Sequence, residues 1–160
     1  MNLTFENLCW SAEIYWSRPL LYDNARDFHY EANDISNIYK ITGKYSKFNH
    51  KMLYIGKTYA QSVCIRLNQK DHIIRYENIR EQYPRFKIYV SFGSIHLKYG
   101  KLTRKRIDEI ESLLIYAHEF DDIQNKNKLF SLNVKDQYKI INKGYAYPLN
   151  KEIAYGIFTR

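Results

Sequence analysis

Asn37-Ile38-Tyr39-Lys40-Ile41-Thr42 and Lys51-Met52-Leu53-Tyr54-Ile55-Gly56-Lys57-Thr58 are the two segments on which the reading of this chain turns. Each alternates with period two: Ile38 and Lys40 against Tyr39 and Ile41, then Leu53 and Ile55 against Met52 and Tyr54. Both are rich in β-branched and aromatic residues, and the stretch between them is polar and turn-like. They predict a hairpin. A symmetric loop makes Tyr39 face Tyr54 and Ile41 face Met52, so that two phenols stand side by side on one face of a sheet.

Downstream, Ala60, Val63, Cys64 and Leu67 follow helical spacing, and 71–80 reads as a second helical segment ended by Pro84. Gly56-Lys57-Thr58 resembles the end of a phosphate-binding loop, but Lys51 stands where that motif needs its first Gly. Residues 85–93 alternate Phe86, Ile88, Val90 and Phe92 against Lys87, Tyr89 and Ser91, which predicts a third strand. Thr103 is the N-cap of the clearest helix, which runs to about Phe120 on a stripe of Ile107, Ile110, Leu113, Leu114 and Ala117. Glu111 falls on the edge of that buried stripe. A carboxylate there needs a cation or hydrogen-bond donors beside it, because an unpaired buried charge is costly. A polar turn follows at 121–128, and 137–142 and 153–158 read as two short strands.

At 160 residues the chain is long enough for one domain with a real core. Its N-terminus lacks the basic start and apolar run of a signal peptide, and no apolar run approaches the ~20 residues of a membrane span. Cys9 and Cys64 fit no metal spacing and no disulfide framework, so a reducing, cytoplasmic compartment is expected. Charge is unevenly spread. Residues 1–36 carry two basic and six acidic side chains, whereas 37–160 carry 23 basic and 11 acidic, for a net +8 overall. A basic body suits a polyanionic partner, and sixteen tyrosines interleaved with cations suit stacking on bases. No paired cysteines accompany His29 or His118, which excludes a zinc deaminase, and neither a dinucleotide fingerprint nor a nucleophile elbow is present.

The paired segments resemble the signature of the GIY-YIG nucleases. Tyr54-Ile55-Gly56 matches in full; Ile38-Tyr39 matches, with Asn37 where the family usually has Gly. The resemblance covers roughly 37–129. It implies an α+β fold: a small, mainly antiparallel three-stranded sheet flanked by helices. Around it lie an acidic aromatic arm (1–36) packed on the nuclease core (37–130) and a short C-terminal extension (131–160). It further implies a metal-dependent endonuclease that hydrolyses phosphodiester bonds in DNA, as a restriction, repair or mobile-element enzyme. A non-catalytic nucleic-acid-binding module on the same scaffold is the alternative. Specificity then rests on loops, the arm or a homodimer.

By the same resemblance, Glu111 binds the divalent metal, Mg²⁺ or Mn²⁺, and Arg66 contacts the scissile phosphate. Tyr39 orients or deprotonates the nucleophilic water, Tyr54 supports the phosphate or the water chain, and Lys57 is a cation near the tyrosines. Asn125, or Asn127, closes the site after the long helix. His72 lies six residues beyond Arg66 and joins them only if the helix breaks near Asp71. A phenol titrates near ~10, so a base role for Tyr39 calls for a neighbouring cation to lower it, Lys57 or Arg66 being the candidates.

Overall fold

A computed structural model describes residues 9–27, 37–118, 123, 125 and 132–156. Its elements are β1 (Cys9–Trp16), β2 (Leu20–Leu21), α1 (Tyr22–Asp27), β3 (Ile38–Lys44), β4 (Lys51–Lys57), α2 (Val63–Leu67), α3 (Lys70–Gln82), β5 (Lys87–Leu97), α4 (Arg104–Ala117), β6 (Gln137–Gly144) and β7 (Glu152–Tyr155). The expected three-stranded sheet is corrected. The strands form one seven-stranded mixed sheet in the order β4-β3-β5-β1-β6-β7, with β2 on β5, curled into a half-barrel.

The error has a physical origin. The stretch expected as an acidic arm contains β1, which lies at the middle of the sheet, antiparallel to β5 and parallel to β6. Parallel pairing joins segments far apart in sequence, so no local turn signal announces it. β6 and β7 form where short strands are expected at 137–142 and 153–158, but they extend the sheet rather than decorate it. The end of the long helix at Phe120, and Asn127, lie outside the described residues.

Two cores form, one on each side of the sheet. On one side Ile14, Trp16, Ile38, Ile55, Tyr138 and Ile140 pack with Ile107, Ile110, Leu113 and Leu114 of α4. Each such aliphatic side chain contributes roughly 1.5–3 kcal/mol when fully buried, which holds α4 against the sheet. On the other side Tyr39, Ile41, Val90 and Phe92 pack with Tyr22, Ala25, Val63, Leu67 and Ile79 from α1 to α3. β3 is therefore buried on both faces, and its alternation sorts residues between two cores rather than between core and water.

Lys40 is the consequence. It shares a face with Ile38 and is fully buried. Its Nζ donates to three backbone carbonyls, of Tyr145 (2.7 Å), Ala146 (2.7 Å) and Tyr147 (2.8 Å), in the loop between β6 and β7. An ammonium has three donors, and here all three are used. No described helix is long and apolar enough to cross a membrane, and Cys9 and Cys64 are free thiols.

Candidate active site

The hairpin sets the site. Tyr39 is opposite Gly56, not Tyr54, and Ile41 is opposite Tyr54. The register differs by two residues from that of a symmetric loop. A slip of two keeps every side chain on its face, whereas a slip of one reverses them all. Tyr39 and Tyr54 therefore remain on one face as diagonal neighbours, their ring centroids 6.1 Å apart. An irregularity between Ile41 and Thr42 lets Leu53 bulge. Gly56 has a distinct reason. A Cβ built on it would lie 2.3 Å from both Cζ and Oη of Tyr39, so the phenol lies flat over the glycine. Only Gly admits the ring there.

Asn37, at the first position of the hairpin motif, ties the strands together. Its backbone N–H donates to Gly93 O (3.0 Å), its carbonyl accepts from Thr58 N–H (2.9 Å), and its Oδ1 accepts from Ile95 N–H (3.2 Å).

After β4 the chain turns through Thr58 to Gln61 into α2, with Ser62 Oγ accepting from Ile65 N–H as its N-cap. α2 ends at Leu67, and the extended Gln69 opens α3. This break reorients everything after it. His72, 1% exposed, comes beneath Tyr39, whose Oη lies 2.9 Å from His72 Nε2 and 3.4 Å from Nδ1. Arg66 stays at the cleft. Its guanidinium makes a two-pronged pair with Asp71 (3.1 Å on each arm) and donates to Gln69 Oε1. Arg75 places its guanidinium 4.3 Å from the centre of the Tyr54 ring.

On the far wall, α4 presents Glu111, 5% exposed, on the turn after Ile107. The cation its burial demands is Lys57, whose Nζ lies 3.3 Å from Glu111 Oε2 and donates to Asp108 Oδ1. Lys57 thus bridges two carboxylates one helical turn apart. Tyr39, Tyr54, Lys57, Arg66 and Glu111, with Tyr59, Gln61, Arg104 and Ile107, line one cleft of about 280 Å³.

Asn125 binds the backbone of β4. Its Oδ1 accepts from Ile55 N–H (2.9 Å) and its Nδ2 donates to Ile55 O (2.6 Å). The carboxamide imitates a neighbouring strand on the outer edge of β4, satisfying groups that burial would leave costly. It is not among the residues that line the cleft.

Titration behaviour corrects one expectation. The Tyr39 phenol is raised well above its ordinary value, because burial outweighs the opposing pull of Arg66 and Arg75 and is reinforced by Tyr54 and Glu111. Tyr54 is raised for the same first reason. Burial, then Arg66 and Arg75, depress His72 to about 4, so its imidazole is neutral at pH 7. Tyr39 is a neutral phenol on a neutral imidazole, rather than a phenolate made by a nearby cation. Asp108, Asp71, Gln69, Arg75, Tyr59 and Arg104 escaped the sequence reading. Only Asp108 carried a signal, its i,i+3 spacing to Glu111.

No protein-family model, curated protein or solved structure matches the chain.

Proposed function

We propose that this protein is a metal-dependent endonuclease of the GIY-YIG type, hydrolysing phosphodiester bonds in DNA. The observation that carries the reading is the shared cleft: two diagonally placed phenols, a guanidinium and a buried carboxylate line one space of about 280 Å³. A structural hairpin pair of tyrosines has no need of Arg66 and Glu111 on the opposing walls.

Arg66 is pre-oriented by Asp71 and Gln69, so its charge meets the developing phosphorane without rearrangement. Tyr39 Oη lies 2.9 Å from His72 Nε2 and lines the cleft, so with that nitrogen as the unprotonated one the phenol would receive the nucleophilic water's proton as it passes its own to the ring. Burial first, and then the charges of Arg66 and Arg75, hold that imidazole at low affinity for a proton. A phosphate bound at Arg66 offsets the arginine part, so substrate itself raises the acceptor toward its ordinary value. Glu111 fits Mg²⁺ or Mn²⁺, because such hard ions bind through one or two carboxylates plus substrate phosphate. Bound there, the ion supplies charge at the phosphoryl oxygens. Among the described residues no group of three or more His, Cys, Asp or Glu forms a ready cage, and Lys57 neutralises Glu111.

The Lys57–Glu111 pair favours one second reading, a non-catalytic nucleic-acid-binding module in which the carboxylate only anchors Lys57. Incubation with plasmid, single-stranded DNA and RNA, in Mg²⁺ or Mn²⁺ and in chelator, separates the two. Cleavage that needs metal and disappears in Glu111→Gln while binding persists is the expected result. Full activity of Glu111→Gln, or activity in excess chelator, sinks the assignment of Glu111 as metal ligand and of the metal dependence. Binding without cleavage in every condition selects the module.

A further inference from the structure

Tyr59 lines the cleft, yet the phosphate chemistry does not use it. It keeps 53% of its surface exposed and shares the lining of the cleft with Arg66 and Glu111. Arg104, also lining the cleft, sets its guanidinium 5.6 Å from the ring centre. An exposed aromatic backed by a cation is the arrangement on which unpaired bases stack, every base having a π-face.

The loop that carries Tyr59 is held firmly. Before it, Thr58 N–H donates to Asn37 O at 2.9 Å. After it, Ala60 adopts φ +56°, a left-handed conformation rare for a residue with a Cβ. Gln61 Oε1 accepts from Gln69 Nε2 at 3.0 Å, and Gln69 in turn accepts from Arg66. One chain of contacts therefore fixes the ring relative to the guanidinium that meets phosphate. The cleft, about 280 Å³, lies just below the ~300–1,000 Å³ usual for small-ligand sites, the scale of one nucleotide rather than of a duplex groove.

We infer that Tyr59 with Arg104 is a stacking platform for one unpaired nucleobase adjoining the phosphate held at Arg66, so that the preferred substrate is DNA whose nucleotide at the cut is out of the helical stack. This rests on the cleft being a phosphodiester site. The base lies on the phenol ring while its phosphate reaches Arg66. Single strands, bulges and mismatches present such a base without the cost of extruding it from a duplex.

The test measures binding in chelator, which prevents cleavage. The probes are a fluorescein-labelled single-stranded oligodeoxynucleotide, its perfect duplex, and a single strand carrying one 2-aminopurine. Proteins are wild type, Tyr59→Ala, Tyr59→Phe and Arg66→Ala. Stacking on one aromatic corresponds to a loss of about 5- to 150-fold on removing the ring. Tyr59→Ala should weaken single-strand binding by that factor, leave duplex binding within about twofold, and abolish the 2-aminopurine quenching. Tyr59→Phe should restore all three, since the ring and not the hydroxyl is at issue. Arg66→Ala should weaken both DNAs. Equal losses of Tyr59→Ala on single strand and duplex, unchanged single-strand binding, or failure of Phe to rescue would overturn the platform while leaving the phosphate site standing. No binding of either DNA by the wild type overturns the platform together with the nuclease reading.

Discussion

Substituting Gly56→Ala tests the geometry of the site through one methyl group. The added Cβ would come 2.3 Å from Tyr39 Cζ and Oη, and 2.8 Å from Cε1. Ordinary carbon contacts begin near ~3.5 Å, so the phenol must retreat by roughly 1 Å. It has little room, being fully buried between Tyr54 and His72. Overpacking of this kind costs about 1–3 kcal/mol, and stretching the 2.9 Å contact to His72 Nε2 removes about 1 kcal/mol more. The sum of about 2–4 kcal/mol corresponds to a Tm lower by roughly 4–16 °C in a domain of this size, read by circular dichroism. The penalty arises from one ring, so Tyr39→Leu should relieve it: in that background the Ala substitution should cost less than ~0.5 kcal/mol. Cleavage assayed well below Tm should fall in Gly56→Ala, because the Tyr39–His72 contact is displaced while the protein remains folded. The reasoning fails if Gly56→Ala costs under ~0.5 kcal/mol, or if its cost is the same with and without the Tyr39 ring.

His72 should make stability depend on pH. Its folded value, about 4, lies below the ordinary 6.5, so the unfolded chain holds more protons between them. Stability is then full above pH 6.5 and falls as pH drops toward 4, by up to about 3 kcal/mol. His72→Gln should flatten that part of the wild-type profile in urea titrations, and an unchanged slope refutes the assignment. Lys40→Met keeps the packing but strips donors from three carbonyls, and we expect a loss of about 3 kcal/mol, near the low end of about 1 kcal/mol for each acceptor left unsatisfied. A Met variant as stable as wild type in chemical denaturation would show that the ammonium is dispensable. Asn125→Ala leaves Ile55 N–H and C=O without the carboxamide, at about 1–3 kcal/mol for each group left unsatisfied. Its expected signature is faster amide exchange at Ile55 with binding of DNA unchanged, whereas a selective loss of DNA affinity would move Asn125 into the cleft.

The sequence by itself determined the local elements. Alternation and turn residues located β3, β4 and most of β5, and Thr103 with its apolar stripe located α4, because these signals lie within a few residues of one another. The same alternation put Tyr39 and Tyr54 on one face, and this survived the two-residue difference in register because strand faces repeat every two residues. Helical phase put Glu111 at a buried edge in need of a cation. Tertiary structure decided the rest. The place of β1 between β5 and β6 depends on pairing with residues 77–85 positions away on one side and 128 on the other, for which an acidic aromatic stretch gives no local sign. The burial of Lys40 depends on a loop more than a hundred residues away. His72 reaches Tyr39 only because the chain breaks at Asn68 and Gln69, and the phenol's affinity for its proton is raised by enclosure, not lowered by its neighbours. Spacing along a chain reports which side chains share a face; what encloses that face, and hence its charge states, comes from segments that sequence proximity does not join.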